Sequence, residues 1–174
     1  MLRIFNDLEP FLWDSYKRVG VREYAALRKV SPPTASTILT QLHKEGLLRK
    51  EKDRKYLLFS ANNESRLFTQ LSRAYFAHHL KKIGLTGQLE KELISPLIIL
   101  FGSFAKAEIN ENSDLDIAIF TPSQKEIPLE KHEEQLGRSI QVFIFKNKGA
   151  VKNKELLNNI LNGVIIAGDW HHGL

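Results

Sequence analysis

The sequence predicts an α/β protein of the α+β kind, with a helical, basic N-terminal third and a C-terminal unit of apolar strands and short helices. Three observations predict it. Apolar residues recur at helical spacing as far as Gly46, and two short strand-like runs then flank a charged turn. Further on, the runs LIILF (97–101) and LDIAIF (115–120) have the strand-length apolarity of a buried sheet. Charge is also uneven: residues 1–60 carry 12 Lys+Arg against 7 Asp+Glu, whereas residues 61–174 carry 13 of each. The formal net charge of +5 therefore resides in the first third, which predicts two units with different partners, one of them polyanionic.

Length and composition bound the class. A chain of 174 residues suffices for one domain or two small ones. The absence of cysteine excludes disulfides, thiolate metal sites and thiol nucleophiles. No apolar run approaches the ~18 residues of a membrane span. The N-terminus, with Asp7 early and no long apolar core, is not that of a signal peptide. A cytoplasmic protein is expected.

In order along the chain, Leu8, Phe11, Leu12 and Tyr16 predict a first helix over 7–18, with Pro10 in its first turn. Gly20 punctuates, and 21–29 is a second helix. Ser31 offers an N-cap and Pro32–Pro33 a first turn for a third helix, which runs to about Glu45 and closes at Gly46. Ala35, Ile38, Leu39 and Leu42 share one face of it. Thr37, Thr40 and Lys44 point the other way, flanked by Ser36 and Gln41. Such hydroxyls, an amide and a cation suit base edges and phosphates in a major groove. Two strands around Lys52-Asp53-Arg54 then form a hairpin.

Three short helices and a basic hairpin resemble a winged helix-turn-helix over roughly residues 7–60. The resemblance implies binding of double-stranded DNA, with Ser36, Thr37, Thr40, Gln41 and Lys44 facing the groove. Lys50, Lys52, Arg54 and Lys55 would meet the phosphate backbone. A homodimer on a palindromic site is the analogous assembly. The same fold also serves in dimerisation and protein docking.

A connector helix is expected from Asn62 to about Lys82, with the apolar stripe Leu67, Phe68, Leu71, Tyr75 and Leu80. His78 and His79 diverge by ~100° on it and cannot readily share a metal. The expected divisions are 1–60, 61–85 and 86–174. Within the last, helices are expected over 86–94, 129–136 and 153–161, and strands over 97–101, 115–120, 139–145 and 163–167. His171 and His172 are expected in a solvated tail.

Chemistry is concentrated at 101–120, FGSFAKAEINENSDLDIAIF. Gly102-Ser103 follows the first apolar run and opens a turn of helix, which offers free N–H groups and a positive dipole end to phosphates. Asp114 and Asp116, two apart on a strand, point to the same side. A paired carboxylate suits Mg²⁺, a hard cation usually held by one or two carboxylates plus substrate phosphates.

Gly-Ser, ten intervening residues, then Asp-Leu-Asp resembles the DNA polymerase β-like nucleotidyltransferase superfamily, and within it the minimal nucleotidyltransferases, over roughly residues 86–170. The family is expected to form a small mixed sheet here. The resemblance implies a Mg²⁺-dependent, two-metal transfer of a nucleoside monophosphate from ATP or another nucleoside triphosphate. Asp114 and Asp116 would be the metal ligands and catalytic acids, and Gly102, Ser103, Lys106 and Ser113 would bind nucleotide. Some relatives modify a partner toxin protein as antitoxins and others small molecules such as aminoglycosides, so the acceptor class stays open. Two positions depart from the pattern. Ala107 stands where the family has Gly. Gln141 stands where a third acid lies on the following strand, unless Glu133 or Glu134 replaces it. An amide ligates metal weakly and cannot accept a proton. Gln141 therefore leaves a second expectation, a transcriptional regulator that senses nucleotide without turnover, and an assembly module is a third.

Overall fold

The computed structural model describes residues 2–123 and 125–170; His171 and His172 lie outside the described residues. The protein is α+β and folds as two compact units. One runs to Ser72 and takes in the excursion Ala107–Glu111. The other comprises Arg73–Lys106 and the chain from Asn112 onward.

The first unit contains α1 (Arg3–Leu12), β1 (Val19–Gly20), α2 (Val21–Arg28), α3 (Pro32–Lys44), β2 (Leu48–Asp53) and β3 (Tyr56–Ala61). Helix α1 starts earlier than periodicity suggested, so Pro10 stands in its last turn and not its first. The cost there is small, because the helix stops two residues later and the lost bond is the one to the Asn6 carbonyl. Phe5, Leu8, Phe11 and Leu12 form the buried inner stripe of α1, with Phe11 stacked on Tyr24 of α2 (ring centroids 6.1 Å apart), and Ala35, Leu39 and Leu42 are the buried positions of α3. Ser31 caps α3, its Oγ accepting the Thr34 N–H at 3.3 Å, with prolines in the first turn where no N–H is missed. Gly46, at φ +72°, closes the helix in the left-handed region.

Strands β2 and β3 pair antiparallel from Leu48↔Ala61 to Asp53↔Tyr56. Strand β1, two residues long and too short to show a period, adds to the far edge of β3. Arg18 pairs with Glu51 and with Asp53, at 3.7 Å, on β2. The excursion is held by Ser15, which is buried. Its N–H and Oγ both donate to the Ile109 carbonyl (2.8 and 3.0 Å), and its Oγ accepts the Ile109 N–H (2.7 Å).

Helix α4 (Arg66–Lys82) carries the chain from one unit into the other. It starts four residues later than expected, because Asn62 is engaged elsewhere: its Nδ2 donates to the Gly46 carbonyl at 2.9 Å. Phe68, Tyr75, Phe76 and Leu80 form its buried stripe, whereas Leu67, expected in that stripe, is 52% exposed.

The second unit continues with α5 (Leu85–Glu92), β4 (Leu97–Phe101), α6 (Gly102–Lys106), β5 (Leu115–Phe120), α7 (Glu130–Leu136), β6 (Ile140–Phe145), a 3-10 turn at Lys148–Ala150, α8 (Lys154–Leu161) and β7 (Val164–Ala167). The sheet order is β6-β5-β4-β7. Strand β4 is antiparallel to both neighbours, and β5 and β6 are parallel, joined by the crossover through α7. All five residues of β4 are buried, each large side chain contributing about 1.5–3 kcal/mol. One sheet face, Leu97, Ile99, Phe101, Ala118 and Phe120, lies in a core with Val151 and Ile160, against which Phe143, Phe145, Leu156 and Leu157 pack. At Gly163 the chain approaches β4 so closely that a Cβ would lie 2.5 Å from the Leu100 carbonyl oxygen. Among the described residues no helix is long and apolar enough to cross a membrane.

Candidate active site

The site forms where β4 ends and β5 and β6 begin. Apolar β4 stops at Phe101, and Gly102, at φ +68°, turns the chain into α6. Phe101 lies opposite Asp116 across the antiparallel pair, so the acid comes to the end of the strand that leads into Gly102-Ser103. Contact is close enough that a Cβ on Gly102 would collide with the Asp116 carboxylate. Both the backbone angle and the space thus require glycine here. Asp114 stands one residue before β5, two positions from Asp116. Burial, and then the Asp114 charge, push the Asp116 carboxyl above its ordinary value. Of these two causes the second, the neighbouring Asp114 charge, is the one a cation would relieve.

Parallel pairing of β5 and β6 sets Gln141 opposite Asp116, the strand position expected for a third acid. The exposed Gln141 side chain donates from Nε2 to Asp114 Oδ2 at 2.7 Å. Neither nearby glutamate replaces the acid. Glu133 accepts the Ile140 N–H at 2.8 Å and so caps the start of β6, while Glu134 is exposed on the last turn of α7. Among the described residues no group of three or more His, Cys, Asp or Glu gathers for a metal. Asp114 and Asp116 fit one Mg²⁺ completed by phosphate and water oxygens, the usual arrangement for this ion. They do not supply the acids for a second ion.

The other expected nucleotide residues lie around this corner at different distances. Ser103 and Ser113 are half-buried next to Gly102 and Asp114. Lys106 is exposed at the opposite end of five-residue α6, about 6 Å along the axis from Gly102. Ala107 is buried and left-handed, at φ +58°, which accounts for glycine as the residue expected there. Arg138 carried no sequence signal beyond standing three residues before Gln141. Its Nη1 donates to the Ser113 carbonyl at 2.8 Å, and its guanidinium lies over the Phe104 ring, 5.7 Å from the centroid.

In the first unit, Ser36, Thr37, Gln41 and Lys44 are exposed on α3, and Thr40 is half-buried beside them. The Thr37 hydroxyl donates back to the Pro33 carbonyl at 3.1 Å, so this side chain is committed within the helix. Lys50 and Lys52 on β2, and Arg54 and Lys55 at the turn, are all exposed. They share the hairpin with the acids Glu51 and Asp53, whose charges Arg18 meets.

Residues 87–168 match the family model described as Polymerase beta, Nucleotidyltransferase. The match covers the elements from α5 to β7 and supports a nucleotidyltransferase domain in this part of the chain. No curated protein matches the chain, and no solved structure does.

Proposed function

We propose that the second unit binds a nucleoside triphosphate with Mg²⁺ and transfers its nucleoside monophosphate to an acceptor hydroxyl. The observation that carries this reading is the Asp116 carboxylate packed against Gly102, which brings the acids to the turn that would hold phosphate. Oxygens of Asp114 and Asp116 would hold the ion, which supplies Lewis-acid stabilisation of charge on the phosphoryl oxygens. The first N–H groups of α6 lack partners within their helix and would hold the phosphates. In the transfer, the acceptor oxygen bonds to the α-phosphorus as the bond to the bridging oxygen breaks. Pyrophosphate departs with that electron pair. Gln141 has no proton affinity to offer, so the hydroxyl proton passes to water or to a carboxylate of the pair.

A second reading is favoured by one specific observation, the Gln141–Asp114 hydrogen bond. An amide there occupies an oxygen that a further ion would use. The unit would then hold nucleotide without turnover and act as the sensor of a transcriptional regulator. For the first unit we propose double-stranded DNA as partner. The exposed Ser36, Gln41 and Lys44 on α3 and the cations of the β2–β3 hairpin support this. On a palindromic site two copies of the chain would bind as a homodimer, and a partner toxin protein is one class of acceptor for the transfer.

ATP labelled at the α-phosphate, incubated with Mg²⁺ and cell extract, separates the readings. Label transfer that disappears in Asp114→Ala supports the enzyme. Saturable binding without transfer, followed by gain of transfer in Gln141→Asp, supports the sensor. Failure of all four common nucleoside triphosphates to bind would overturn both.

A further inference from the structure

The residues that open β6 hold Asp114 from three directions. Arg138 Nη1 donates to the Ser113 carbonyl (2.8 Å), the Ser139 carbonyl accepts the Leu115 N–H (2.9 Å), and Gln141 Nε2 donates to Asp114 Oδ2 (2.7 Å). The first two bonds grip the peptide groups on either side of the acid. Arg138 also reaches the phosphate half of the site, because Phe104, under its guanidinium, directly follows Ser103 in α6. The root of this side chain is itself fixed. Gly137, at φ +63°, closes α7, the Arg138 N–H bonds to the Glu133 carbonyl at 3.2 Å, and the Glu133 carboxylate holds the Ile140 N–H at 2.8 Å. Arginine suits the place chemically. Its planar fork donates in one plane while its face covers a ring, a combination that a lysine ammonium cannot reproduce.

We propose that Arg138 is a positioning residue of the nucleotide site, one guanidinium setting the spacing between the Gly102-Ser103 corner and the Asp114–Asp116 pair. The inference rests on the reading of that corner as a metal–nucleotide site. In this role Arg138 acts through Ser113 and Phe104, as partners behind metal ligands orient them. Loss of such a partner typically lowers affinity about 10–100-fold.

The full chain is titrated calorimetrically with Mn²⁺ and the α,β-methylene analogues of ATP, GTP, CTP and UTP, and the Tm of each metal-free variant is recorded. Arg138→Ala is expected to remain folded and to bind the preferred analogue about 10–100-fold more weakly. Millimolar guanidinium is expected to restore part of that loss. Arg138→Lys is expected to stay weak although it keeps the charge, and it carries the comparison alone if Arg138→Ala does not fold. Wild-type affinity in either folded variant would overturn the inference. So would a loss that guanidinium does not touch and that follows the fall in Tm. A wild-type protein that binds none of the four analogues would instead remove the underlying reading of the corner, an outcome distinct from the others.

Discussion

Gly102 and Ala107 bracket the short helix of the site, and both adopt left-handed backbone angles, φ +68° and +58°. Only one of them is replaceable. A left-handed L-residue costs about 1–2 kcal/mol. Ala107 already bears that cost, and its buried methyl recovers part of it by removing apolar surface from water. At Gly102 the same angle is combined with a space already filled by the Asp116 carboxylate. Gly102→Ala is therefore expected to lose about 1–2 kcal/mol of stability and, because the acid must move, at least about tenfold in affinity for Mg²⁺–nucleotide. Denaturant titration and calorimetric titration of the folded variant measure the two losses. Unchanged nucleotide affinity would mean that the position of Asp116 against the corner has no bearing on binding.

The elements that sequence made legible are those whose signal is local. The strands β4 and β5 announce themselves as apolar runs, and Ser31 and Gly46 bracket α3 by capping chemistry. Asp114, Asp116 and Gly102 were legible because their spacing is a property of one strand–turn–helix–strand segment. Tertiary register was not legible. Strand β1 is only two residues long, and Arg138 matters through Ser113 and Phe104, from which it is separated by 25 and 34 positions. Asn62 looked like a helix start but serves the carbonyl of Gly46, 16 positions away. Helix α3 also carries a prediction of its own. Lys44 is exposed in its last turn, on the side away from buried Ala35, Leu39 and Leu42. If α3 lies in a DNA groove with Lys44 near a phosphate, Lys44→Ala reduces the slope of log affinity against log salt by about 0.9, the release of one counterion. Fluorescence-anisotropy titrations at several salt concentrations, with random-sequence duplex, read that slope. An unaltered slope would take Lys44 out of the interface.

At the scale of the whole molecule the notable feature is how the chain divides. The first unit takes in Ala107–Glu111, so most of the connection from α6 to β5 belongs to one unit while both of its neighbours belong to the other. The chain thus passes from unit to unit at 72/73, 106/107 and 111/112. Because the chain crosses between the units three times, the two are expected to unfold in one transition. The two tryptophans of the chain, Trp13 in the first unit and Trp170 in the second, allow each to be followed separately. Trp170 lies against Phe120, with ring centroids 5.7 Å apart, so its emission reports the sheet of the second unit. Single-tryptophan variants, Trp13→Phe and Trp170→Phe, are expected to give coincident urea midpoints. Ser15→Ala supplies the perturbation. It leaves the Ile109 N–H buried without its hydroxyl partner, at a cost of about 1–3 kcal/mol. Both midpoints are expected to fall together by that amount divided by the common m-value. A fall in the Trp13 midpoint alone, with the Trp170 transition unmoved, would show that the excursion does not tie the stability of the site to the first unit.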